Sequence, residues 1–142
     1  KNVLPLTEGS GQSGYYDFQA DLSTVQLTDY ADKIVISHMT AKPGRINDMK
    51  TLIQKLKKVW EAGSESVAVY SCAFSGEPGY INVTRLKNGL KELASDFRKP
   101  LADRYNDANG AGSFDSWLKD YADIVQSRWS EVLIYKPLLS SK

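Results

Sequence analysis

From Lys33 to Ala41 hydrophobic and polar side chains follow a two-residue period. Ile34, Ile36, His38 and Thr40 fall on one face, and Val35, Ser37, Met39 and Ala41 on the other, as an extended strand requires. Pro43, which lacks an amide donor, and Gly44, which tolerates a turn, end that strand. The period then lengthens to 3.6. Ile46, Met49, Leu52, Ile53, Leu56, Val59 and Trp60 make one apolar stripe, with Lys50, Gln54, Lys57 and Lys58 largely opposite, so the pattern predicts an amphipathic helix ending at Gly63. A second strand is predicted over Ser66 to Phe74 and a third over Tyr80 to Leu86, joined by a turn at Ser75-Gly76-Glu77-Pro78-Gly79. Leu86, Leu90, Leu93, Phe97, Leu101 and Tyr105 predict further helix, broken near Lys99-Pro100. After a loop over Asn106 to Gly112, another helix begins at about Ser113 with Phe114, Trp117, Leu118, Tyr121, Ile124 and Val125. A last strand, Glu131 to Tyr135, stops before Pro137.

The order of these elements is β-α-β-β-α-β with an extra helix before the last strand, an α+β plan of the ferredoxin-like kind. Residues 1–31 lack periodicity. Their Gly- and Ser-rich stretch, Gly9 to Gly14, reads as a flexible link, and Tyr15, Tyr16 and Phe18 call for a surface to lie on. The expected organisation is therefore an N-terminal arm over 1–31 and one domain over 32–142. In such a plan the helices cover one sheet face, and the other is polar in a monomer. Here both faces are apolar: Ile34 and Ile36 oppose Val35 and Met39, and Val67 and Val69 oppose Tyr70 and Phe74. A second copy of the same sheet is the economical cover, so a homodimer is expected.

Composition narrows the function only by exclusion. Eighteen basic residues nearly cancel 17 acidic ones across 142 residues, and a formal charge of +1 offers no attraction for nucleic acid or an anionic membrane. No apolar run is long enough to span a bilayer. The aromatic-rich strand pattern of RNA-binding relatives of this plan is missing from Gly79-Tyr80-Ile81-Asn82-Val83, and no phosphate-binding Gly loop occurs. One His and one Cys do not make a closed zinc site within a single chain, and no metal site is predicted. The single Cys72 leaves the compartment open. The Gly- and Ser-rich opening and the first residue, Lys1, lean towards an exported bacterial protein with its leader removed, with the cytoplasm as the alternative.

The chain resembles the dimeric α+β barrel superfamily, which includes the antibiotic biosynthesis monooxygenase domains. The likeness lies in strand one ending in Lys42-Pro43-Gly44, the helix after it, the Ser75-Gly76 hairpin, and Val132-Leu133-Ile134-Tyr135-Lys136-Pro137. It spans roughly residues 33–140. The resemblance implies paired sheets facing one another and a small-molecule pocket between sheet and helices. It does not imply one reaction, since oxygenases, haem-degrading enzymes and isomerases share the architecture. Cofactor-independent oxygenases of the group use an Asn in strand one with a Trp and a His elsewhere. Strand one here offers Ser37-His38, and Asn82 stands on strand three, so no catalytic set carries over.

Two functions follow as expectations. The first is binding of a small apolar or aromatic molecule without catalysis. The alternative is a cofactor-independent, monooxygenase-like enzyme acting on an aromatic or polyketide-like substrate. His38 is the one side chain that ordinarily titrates near neutral pH, and Asn82 could hold a ligand carbonyl. These two are the catalytic candidates. Tyr70, Trp60, Trp117 and Tyr121 are the ligand-binding candidates, with Trp129 a third tryptophan able to line an aromatic pocket. Each has a plainer role to weigh: a hydrogen-bonded strand residue for His38 and Asn82, core packing for Trp60 and Trp117, and strand or interface packing for the tyrosines. Asn82-Val83-Thr84 has the form of a glycosylation acceptor but falls inside a predicted strand. No cofactor is expected, although the resemblance leaves haem on His38 open.

Overall fold

The computed structural model describes residues 14–26, 28–74 and 76–139. Strands β1 (Tyr15–Phe18), β2 (Lys33–Ala41), β3 (Ser66–Phe74), β4 (Gly79–Arg85) and β5 (Val125–Ile134) form one sheet in the order β1-β3-β4-β2-β5. Every pairing is antiparallel. Three helices complete the α+β fold: α1 (Ile46–Ala62), α2 (Leu101–Asn109) and α3 (Ser113–Ile124). With β1 set aside, the order β3-β4-β2-β5 is compatible with a ferredoxin-like plan.

The chain turns from β2 into α1 through Gly44, whose φ of +78° suits a residue without a Cβ. The predicted stripe of α1 is the buried one, with Met49, Leu52, Ile53 and Val59 at its centre. These residues meet Met39 and Ala41 of β2, Val67 and Val69 of β3, and Tyr80 of β4. Tyr105 of α2 and Trp117 and Ile124 of α3 complete the core. The indole N–H of Trp117 donates to the Leu52 carbonyl at 3.4 Å, so the buried ring keeps its one polar atom paired. The β4 backbone passes so close to β2 that a Cβ on Gly79 would stand 2.1 Å from the Met39 carbonyl oxygen. Only glycine fits there.

Three elements differ from the sequence reading. Of the expected arm, residues 1–13 lie outside the described residues, as do Leu27 and Ser75 of the hairpin turn. From Tyr15 onward the segment is neither irregular nor apart from the core. Tyr15–Phe18 pairs with β3, the Gln19, Thr24 and Val25 amides bond to β3 carbonyls, and Leu22 is fully buried in the core. A four-residue edge strand with every residue exposed has no alternation to reveal it.

The helical stripe from Leu86 is realised only from Leu101. Gly89–Leu93 is a 3-10 turn, and Leu90 and Leu93 are exposed. The segment before α2 is held by charge instead. Glu65, at the start of β3, pairs with Arg104 and lies 3.5 Å from Arg98, which also pairs with the buried Glu92. Finally, β5 is twice as long as expected: its first half, Gln126 to Ser130, carries one apolar side chain, Trp129, and so shows no apolar alternation.

Candidate functional site

Register and alternation divide the sheet into two unlike faces. Met39, Val67, Val69 and Tyr80 belong to the core, so their faces of β2, β3 and β4 lie under the helices. The opposite face carries Ile34, Ile36 and His38 of β2, opposed by Ile81 and Val83 of β4 and by Trp129, Glu131 and Leu133 of β5. Tyr70 of β3 continues this face, with Phe18 of β1 against it at a ring separation of 5.5 Å. The buried residues of the three helices cluster with the other face.

His38 sits near one end of this open face. Trp129 lies directly across the β2–β5 ladder, and the two rings stack at 3.7 Å with an interplanar angle of 5°. The imidazole Nε2 lies 3.3 Å from Oε1 of Glu131, two residues further along β5 on the same face. The ladder itself makes this cluster. A residue, its cross-strand partner and the next same-face neighbour are brought within reach whatever their distance in sequence. Around the pair is a hollow of about 420 Å³, bounded by Tyr16, Thr40, Cys72, Glu77 and Ile81 as well as the two stacked rings. The Thr40 hydroxyl is bonded to Ser127 at 2.6 Å, and the Cys72 thiol leans 3.8 Å from the Phe74 carbonyl. Trp129 is 55% exposed, so one broad face of its ring is open.

The structure does not bring the other candidates to this point. Asn82 is opposite Ser37 on β2 and Val69 on β3, which puts it on the helix side. It is 7% exposed, and its Oδ1 has no hydrogen-bond partner among the described residues. Trp117 is in the core, ringed by Tyr105 at 5.3 Å, Phe114 at 5.7 Å and Tyr121 at 5.2 Å. Trp60 packs at the margin of the same core from α1. Burial raises the Tyr105 hydroxyl to a pKa of about 12. Of the six residues singled out, His38 and Tyr70 share the open face. Trp60, Trp117, Tyr121 and Asn82 are on the helix side. The hollow lies on the face away from the helices, not beneath them.

Glu131, Tyr16 and Glu77 escaped the sequence reading, and Trp129 entered it only as a generic aromatic. The available signal was the alternation of Ser127, Trp129, Glu131 and Leu133, visible only if the last strand is started earlier. Among the described residues no group of three His, Cys, Asp or Glu side chains could hold a metal ion. Haem fits poorly on His38 as arranged, because Nε2 is turned to Glu131 and the ring face lies against Trp129. No helix among the described residues is long and apolar enough to cross a membrane. Comparison with protein-family models, curated proteins and solved structures found no match.

Proposed function

We propose that two copies of the chain pack open sheet face to open sheet face, in the manner of the dimeric α+β barrels it resembles. In this reading the hollow beside His38 and Trp129 becomes an enclosed pocket for a small apolar or aromatic molecule. The observation that carries the reading is the apolar face left open among the described residues. Phe18, Trp129 and Leu133 are each about half exposed on it, at 50%, 55% and 45%. Five strands about 4.8 Å apart and eight residues at about 3.3 Å give a face on the order of 600 Å² in plan. That approaches the roughly 800 Å² per partner of a standard interface. A twofold pairing covers the same patch on both subunits at once.

Sedimentation equilibrium at micromolar concentration is expected to give twice the chain mass. Native mass spectrometry of freshly isolated protein should carry a bound small molecule per subunit. A monomer at that concentration overturns the dimer, and a ligand-free dimer overturns the pocket.

One observation favours a second reading, a cofactor-independent oxygenase acting on an aromatic or polyketide-like substrate. Glu131 at 3.3 Å would orient His38 as a general base. Screening quinols and aromatic polyketides for oxygen consumption, with His38→Gln as control, tests it. A true base gives a fall of about 10²-fold or more in that variant, and no consumption by either protein removes the reading.

A further inference from the structure

We infer that the molecule held beside Trp129 is an aromatic amine, with a flat apolar ring joined to a positively charged ammonium group, and not an aromatic acid. The inference rests on the hollow's being a ligand site, as proposed above, and adds the charge of its occupant.

Three features of the hollow point the same way. Trp129, 55% exposed, and His38 both line it, with their rings stacked at 3.7 Å. A π-face of this kind accepts another ring, and its negative quadrupole attracts a cation. Next, neither Lys nor Arg is among the described residues that line the hollow, although 18 basic residues occur in the chain. An aromatic carboxylate entering there would find no cation among the described residues of its own chain's lining to replace its water. Finally, Glu77 stands at the rim as a carboxylate with no hydrogen bond or ion pair among the described residues. Three other polar groups of the lining already have partners: the Thr40 hydroxyl has Ser127, His38 Nε2 has Glu131, and the Cys72 thiol has the Phe74 carbonyl. Glu77 is a carboxylate free to receive a donor, and an ammonium does so with its charge as well as its N–H groups, the stronger kind of hydrogen bond. Tyr16, 42% exposed, offers a second aromatic surface for such a head group.

The test compares three ligands of one shape: phenethylamine, phenethyl alcohol and phenylacetate. Each is transparent at the wavelength that excites tryptophan, so quenching of the full-length protein's fluorescence reads binding directly. Trp129→Leu identifies the responding ring against the background of Trp60 and Trp117. Phenethylamine is expected to bind at least tenfold more tightly than phenylacetate at low ionic strength, with the alcohol between them. Glu77→Gln should bring the amine close to the alcohol, and Trp129→Leu should remove the signal. Equal or tighter binding of phenylacetate, or an amine preference untouched by Glu77→Gln, overturns the inference while leaving the hollow as a ligand site. Failure of all three to bind at millimolar concentration overturns both this inference and the pocket on which it rests. The sedimentation experiment then reports separately on the dimer.

Discussion

His38 and Asn82 stand one register step apart on neighbouring strands, yet their side chains leave the sheet on opposite sides. His38 is opposite Ile81, and Asn82 is opposite Ser37. The pleat therefore places one in the open hollow and the other against the helices, with Oδ1 unpaired among the described residues. No rotamer change lets both touch one substrate. Any chemistry at His38 has to recruit its partners from β5, where Trp129 and Glu131 already lie.

The two faces predict different fates for the same substitution. Ile36→Asp, on the open face, should leave a cooperatively folded monomer by sedimentation, since a charge buried unpaired in the proposed interface costs several kcal/mol. Met39→Asp, at a core position 6% exposed, should instead abolish cooperative thermal unfolding. A folded, dimeric Ile36→Asp protein would sink the proposed mode of pairing.

Leu22 should be as important to stability as a residue of α1. It is fully buried in the main cluster, so Leu22→Ala should cost about 2–5 kcal/mol in denaturant unfolding, the range for large-to-small changes in a packed core. A change under about 0.5 kcal/mol would mean that the segment before β2 is only laid on the surface.

The Asp29 carboxylate accepts the Gln26 amide at 2.9 Å and the Ser66 hydroxyl at 2.5 Å, and pairs with Lys87 at 2.9 Å. These interactions, the Gln26 amide first, hold its pKa well below the usual carboxylate range. Because the folded value is the depressed one, its stabilising contribution is fully present above an unfolded pKa of about 3.9. It is lost as pH falls below that value towards the folded one. Asp29→Asn should therefore melt at a lower temperature than the wild type at pH 6, with the two curves converging as the buffer is taken below about pH 3. A constant gap across that window would assign the effect to packing instead.

Glu65 joins Arg98 and Arg104 with its own side chain only 8% exposed, while the arginines keep 26% and 23%. Glu65→Gln should destabilise the fold by about 2 kcal/mol, less than the roughly 3–5 kcal/mol of a fully enclosed pair, because water still reaches both guanidiniums. Sensitivity to proteolysis over residues 94–100 should rise in parallel. An unchanged digestion pattern would show that the segment is held by something else.

How much was legible depended on whether a residue's neighbours were local. Strand β2 and helix α1 announced themselves because alternation and a 3.6 period are properties of consecutive residues. Strand β1 did not, being short and exposed, and the first half of β5 did not, because its one large apolar side chain, Trp129, stands alone among polar neighbours. The apolar second face of the sheet was readable from Ile34, Ile36 and Tyr70. Which of the two faces the helices would cover was not, so Ile34 and Ile36 could not be told from Val35 and Met39 as the open side. His38 was conspicuous as the one histidine. Glu131 lies 93 residues away, and no local pattern states which register will bring the two together.

The interior strand β2 has one neighbour, β4, drawn from the middle of the chain and another, β5, drawn from its last part. Until β5 is laid down, one whole edge of β2 stands with its amides and carbonyls open, Ile34 and Ile36 beside them. The loop that must close is the longest in the sheet, and such non-local pairings form late. Folding is thus expected to pass through a three- or four-stranded species whose open edge is its most adhesive surface. Loss of β5, whether by an interrupted synthesis or a proteolytic cut, would give not a smaller protein but a sticky one.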